Sequence, residues 1–200
     1  MIRGETMKYD KVPAGLEKKL VLGACVVLSD FDPATGAVDI NNIIGATGGG
    51  VRFTAAPTIK NFFEGIDNIP DDVMEGLRVD RWSATLTGDF KSVDPQSVAR
   101  YLAAADVSSE SNGVTKITPR AQLKKEDFKT IWIVGNYSDV NDGDNAGSIA
   151  ICMKNTLSLN GFQMNTAEDD KATFPVNYKT HYSLENPDEI PFDIYLASAS

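Results

Sequence analysis

RWSATLTGDF, residues 81–90, is the stretch on which the fold turns. Trp82, Ala84, Leu86, Gly88 and Phe90 fall on one phase of a two-residue period, and Arg81, Ser83, Thr85, Thr87 and Asp89 on the other. Successive side chains of a strand leave opposite faces of a sheet, so this pattern predicts a strand with one buried and one wet face. Just upstream, Leu77 and Val79 occupy the opposite phase. A one-residue slip turns every later side chain over, so a bulge or bend is expected near Asp80.

Working outward, the same signals recur. Residues 20–28 and the runs TIWIVGNY (130–137) and SIAICMK (148–154) are apolar on both phases, as strands covered on two faces would be. ATFPVNYKTHY (172–182) alternates, with Ala172, Phe174, Val176, Tyr178 and Tyr182 on the apolar phase. Phe192, Ile194 and Leu196 alternate with Asp193 and Tyr195 in a last strand. Residues 51–57 and 58–66 read as strands separated or bent at Pro57, and 114–118 as a short strand. One helix stands out, at about 95–105: Asp94 is a good N-cap, Pro95 suits the first helical position, and Val98, Tyr101, Leu102 and Ala105 form an apolar stripe. The segment SSESNG after it reads as a loop. Nine or so strands, one helix and no alternation of strand and helix predict a mainly β chain. The expected fold is an antiparallel β-sandwich or small barrel with one flanking α-helix. Residues 1–15 lack an apolar period and read as an extended N-terminal arm, leaving 16–200 as a single domain.

Composition narrows the function classes. The chain has 200 residues, 42% hydrophobic and 24% charged, with a formal charge of −9, which argues against a general grip on nucleic acid. Its two cysteines, Cys25 and Cys152, sit in apolar runs and read as buried free thiols rather than a disulfide framework. The polar start and the short apolar stretch LVLGACVVL suggest neither a secretory signal nor a membrane anchor, so synthesis in the cytoplasm is expected.

Motifs for chemistry fail one by one. GATGGGVRFTAAP, residues 45–57, has four glycines in six residues, but Val51, Arg52 and Phe53 follow instead of the Lys, Ser or Thr and helix of a phosphate-binding loop. These glycines instead suit a tight turn with positive φ, or a close approach of two backbones. His181 is the single histidine, which leaves little material for a metal cluster or a Ser-His-Asp centre. Asp139, Asn141, Asp142 and Asp144 resemble half a calcium loop, but Gly143 comes one place early and Ala150 stands where the closing glutamate belongs. The acidic segments NIPDDVMEG and AEDDK read as solvated loops. No catalytic, metal-binding or cofactor-binding residue is assigned, and the chain is not expected to be an enzyme.

The order of pieces nevertheless resembles a known family, the tail tube (major tail) proteins of long-tailed bacteriophages and prophages. The resemblance rests on LVLGACVVLSDFD, on IGATGGGVRFTAAPTIKNFFEGIDNIP, on EGLRVDRWSATLTGDF followed by the helix DPQSVARYLAAAD, and on the closing HYSLENPDEIPFDIYL. It covers most of the chain from about Leu20 onward. It implies a fold related to the tube subunit of type VI secretion, and a virion structural protein without enzymatic activity. It also implies homo-hexameric rings stacked into a hollow tail tube, with a tape measure and a tail terminator as further partners. DNA would pass through the lumen without specific binding. An acidic lumen wall would repel the DNA backbone, and a charge of −9 per copy is compatible with one. The alternative from the residues alone is a non-enzymatic β-sandwich module that binds carbohydrate or protein.

Overall fold

The computed structural model describes residues 25–70, 72–137 and 147–197. The arm 1–15, the first part of the apolar run 20–28 and the calcium-loop-like positions Asp139, Asn141, Asp142 and Asp144 lie outside these residues. Ten strands follow in chain order: β1 (Val26–Leu28), β2 (Ile43–Gly45), β3 (Thr47–Asn61), β4 (Leu77–Phe90), β5 (Ala105–Ser109), β6 (Thr115–Pro119), β7 (Lys129–Tyr137), β8 (Gly147–Ser158), β9 (Phe174–Thr180) and β10 (Phe192–Ala197). One α-helix, α1 (Pro95–Tyr101), lies between β4 and β5.

The pairing is antiparallel throughout and runs β2-β1-β7-β8-β9-β4-β3, with β10 also on β8 and β5-β6 forming a separate hairpin. Strand β8 is the junction. One of its edges pairs with β7; the other pairs with β10 along residues 148–153 and with β9 along 156–158. The sheet therefore divides into two layers that share β8, the β-sandwich expected from the strand pattern. Val27, Ile131, Ile133 and Met153 from one layer meet Leu86, Phe90, Phe174, Val176 and Tyr178 from the other in a buried core. Phe192 of β10 reaches across to the rings of Phe53 and Trp82, at 5.9 and 5.7 Å. The opposite face of β1-β7-β8 is apolar too. Leu28, Phe31, Trp132, Val134, Ala150 and Cys152 form a second cluster there, which accounts for strands apolar on both phases.

Helix α1 closes one end of the sandwich. Asp94 accepts hydrogen bonds from the backbone N–H groups of Gln96 and Ser97, and the Ser97 hydroxyl donates to the Ile44 carbonyl at 2.7 Å. Tyr101 is buried and packs on Phe90, Phe162 and Phe174. Burial, then the Asp94 charge, push its phenol up to about 12. The helix stops at Tyr101 rather than near Ala105. Ala103 takes a left-handed φ of 65°, and Ala105 already belongs to β5. SSESNG is accordingly not all loop: Ser108 and Ser109 end β5, and the turn is made by residues 110–114 with Asn112 and Gly113 at positive φ.

The phase reading of β4 holds. Ala84, Leu86 and Phe90 are fully buried, Trp82 is half-buried, and Arg81 and Asp89 are exposed. Thr58 pairs with Arg81 and Ile59 with Val79, so Asp80 is the extra residue, a bulge where the phase flips. The glycines carry the positive φ expected of them, at 80° and 81° for Gly49 and Gly50, but not in a turn. Both are extra residues inside β3, between the pairs Gly48–Asp89 and Val51–Gly88. Gly88 lies against this bulge; a Cβ there would stand 3.2 Å from the Gly50 carbonyl oxygen and 3.0 Å from Val51 Cγ1. Strand β3 also continues through Pro57, which is tolerated because β3 is an edge strand with β4 as its one partner among the described residues. Gly50→Ala is expected to cost about 1–2 kcal/mol, the steric penalty of a left-handed L-residue, since open space surrounds the position. A thermal melt giving the wild-type midpoint would contradict it.

Candidate assembly surface

The long hairpin β3-β4 decides what this molecule presents to its surroundings. Strand β9 pairs with β4 only from Thr85 to Phe90. Further out, the second edge of β4 meets no strand among the described residues; the Trp82 N–H instead donates to the Tyr182 hydroxyl at 2.8 Å. Past Trp82 the two strands leave the body as a ribbon, and residues 56–60 and 77–81 are all exposed. The bulge at Asp80 is held by Lys60, 2.9 Å from the Asp80 carboxylate, with Arg81 at 3.6 Å. The hydrogen bond and charge of Lys60 hold that carboxyl below its usual range.

The ribbon ends in an ordered tip. The Phe62 N–H donates to the Gly76 carbonyl, and the Phe63 N–H to the Asn61 side chain. Gly76 is buried there, and a Cβ on it would meet the Phe63 ring at 2.9 Å. Yet the tip is apolar and uncovered: Ile59, Phe62, Met74 and Val79 are 54%, 64%, 78% and 53% exposed. Ile59 and Val79 are direct cross-strand partners. An open groove of about 480 Å³ beside them is lined by Phe62, Phe63, Arg78 and Val79 among others. Long two-stranded ribbons with open edges and bare apolar side chains are poor solutions for an isolated subunit and good ones for a subunit that another chain covers.

The outer face of the adjoining sheet is polar. The register places Arg52, Thr54, Ala56 and Thr58 of β3 beside Arg81, Ser83, Thr85 and Thr87 of β4, with Asn177 and Lys179 of β9 alongside. Arg52, Arg81 and Lys179 meet two carboxylates, Asp89 and the bulged Asp80 beside Arg81, so this face of an acidic chain is not acidic.

Residues weighed for chemistry are scattered. His181 lies just past the end of β9, half-buried, with Nδ1 3.2 Å from the Asn155 carbonyl and the ring edge-on to Phe128. Among the described residues no group of three His, Cys, Asp or Glu side chains is placed to hold a metal ion. Among them, too, no helix is long and apolar enough to cross a membrane. Cys25 and Cys152 are free thiols, but only Cys152 is buried; Cys25 is half-buried, against Gly135. Burial pushes the Cys152 thiol up to about 11 and the Cys25 thiol upward as well. Native protein treated with iodoacetamide at pH 7.5 is therefore expected to label Cys152 far more slowly than unfolded protein does. Equal rates would contradict its burial. The chain matches no family model and no curated protein.

Proposed function

We propose that the chain is the structural subunit of a phage or prophage tail tube. It self-assembles into stacked rings of six copies that form the conduit for DNA, and it has no enzymatic role. The observation that carries this reading is the β3-β4 ribbon, which projects from the sandwich with an ordered, uncovered apolar tip. Closed rings need a heterologous contact, one patch of a copy meeting a different patch of the next. The ribbon supplies the first patch. Open strand edges and the exposed Ile194 and Leu196 of β10 offer material for the second. A tape measure and a tail terminator are the further partners of such a tube. The protein would be made in the host cytoplasm and end in the virion tail. If an acidic wall faces the DNA, it is not the outer face of β3-β4-β9, where cations outnumber carboxylates.

Electron microscopy of the purified full chain at increasing concentration tests the proposal. Rings or tubes of uniform diameter are expected. A monodisperse monomer at millimolar concentration would overturn it. The second reading, a binding module for carbohydrate or protein, has one observation in its favour: an open cavity of about 580 Å³ lined by Phe128, His181, Tyr182 and Leu184. Stacking of sugars on aromatic rings would use such a surface. Saturable binding of an oligosaccharide that Tyr182→Ala abolishes, in a protein that never forms rings, would favour it.

A further inference from the structure

Arg100, in the last turn of α1, is half-buried, and its Nη1 is enclosed without a partner. Its guanidinium makes no hydrogen bond and no ion pair among the described residues. An arginine brings five N–H donors in a flat fork, and enclosing them unspent is costly. The residue lines two neighbouring spaces. One is an open cleft of about 390 Å³ between α1, β5 and residues 120–129; the other is a small inner cavity of about 10 Å³ beside Tyr178. Lys129, at the start of β7, lines both as well, is exposed, and also has no ion pair among the described residues.

The other charges near the cleft pair among themselves: Arg120 and Lys124 serve three carboxylates, Asp106, Asp127 and Glu126. Arg120 holds Asp106 at 2.8 Å and also pairs with Asp127. Asp127 further accepts from the Lys124 backbone N–H at 2.7 Å. Glu126 faces the Lys124 ammonium at 3.5 Å. Arg100 and Lys129 take part in none of these pairs, which leaves one cation in excess around a cleft whose wall is cut back by Ala99, Ala103 and Ala105. The volume is that of a small-ligand site.

We propose that this cleft is a carboxylate site, with the Arg100 guanidinium and the Lys129 ammonium as its cations. The carboxylate comes either from a small dicarboxylate in solution or from an acidic side chain of a second copy of this acidic chain. The site stands whether or not the tube reading does.

Calorimetric titration of the full chain with malonate, inorganic phosphate and chloride at fixed ionic strength tests it. Malonate is expected to bind saturably in the millimolar range and more tightly than phosphate, with chloride silent. Lys129→Gln, at an exposed position, should melt as the wild type does and weaken malonate at least fivefold. Arg100→Met should abolish the binding. No saturation up to about 50 mM malonate, tighter binding of phosphate, or unchanged affinity in a folded Lys129→Gln protein would overturn the proposal. Sedimentation in malonate then separates the sources. Assemblies that dissociate as the site fills identify a side chain of a second copy; sedimentation unchanged at saturation identifies a free dicarboxylate.

Discussion

Phe90→Ala is expected to lower stability by about 3–5 kcal/mol, the usual loss when a buried aromatic ring leaves a cavity. Phe90 is fully buried at the end of β4, edge-on to Tyr101 at 6.1 Å. Its ring also lies 3.0 Å from where a Cβ on Gly45 would stand. It therefore joins three elements at once: β4, the helix through Tyr101, and β2. The hole could not be refilled from Gly45, which has no side chain, or from Tyr101, which is already stacked on Phe174. Trp82 shares the phase but is half-buried, so Trp82→Ala should cost less. Thr85→Lys, on the opposite face, should cost no more than about 1 kcal/mol, because Thr85 is half-buried on the outward phase between Thr54 and Lys179, and the charge a lysine meets across the strand is the like charge of Lys179. Urea unfolding of the three variants checks the order. A collapse of Thr85→Lys would place that face in the core.

The second large effect is on assembly. Replacing Ile59 and Val79 together by aspartate should leave the sandwich folded and stop ring formation. Both side chains are more than half exposed, so the isolated subunit loses little. They are already about half covered, so a contact that covers the rest would gain about 0.8–1.5 kcal/mol from each. Losing both weakens association by about 1.5–3 kcal/mol, roughly ten- to a hundredfold. Adjacent carboxylates add a repulsion that grows as salt is lowered. The circular dichroism melt should stay near the wild type, while microscopy shows subunits without tubes. Tubes forming at the wild-type concentration would remove the ribbon from the assembly surface.

What was legible in the sequence followed from local rules. The Asp80 bulge was visible because a two-residue period cannot change phase without an extra residue. The start of α1 was visible because Asp94 and Pro95 act on their immediate neighbours. The end of the helix was not, because Ala103 leaves the helical region as β5 turns to pair with β6, a tertiary gain. The glycines at 49 and 50 announced positive φ, but whether such residues make a turn or a bulge depends on the partner strand, here Gly88. The candidate surface was the least legible part. That β3-β4 projects depends on how short β9 is, and that Arg100 is unpaired depends on residues 120–129 pairing among themselves. Neither is a property of a stretch of chain.

Strand β8 lends one edge to both layers, and this has a mechanical consequence. Two sheets held only by side-chain packing can slide or peel apart along their interface. Here, load entering at the ribbon passes through β4 and β9 into residues 156–158, and load entering at β10 passes into residues 148–153 of the same strand. The layers therefore cannot shear past one another without breaking backbone hydrogen bonds of β8, and local opening of either layer ends there. A subunit built this way behaves as one stiff block, and whatever bending a stack of such blocks permits is confined to the joints between them.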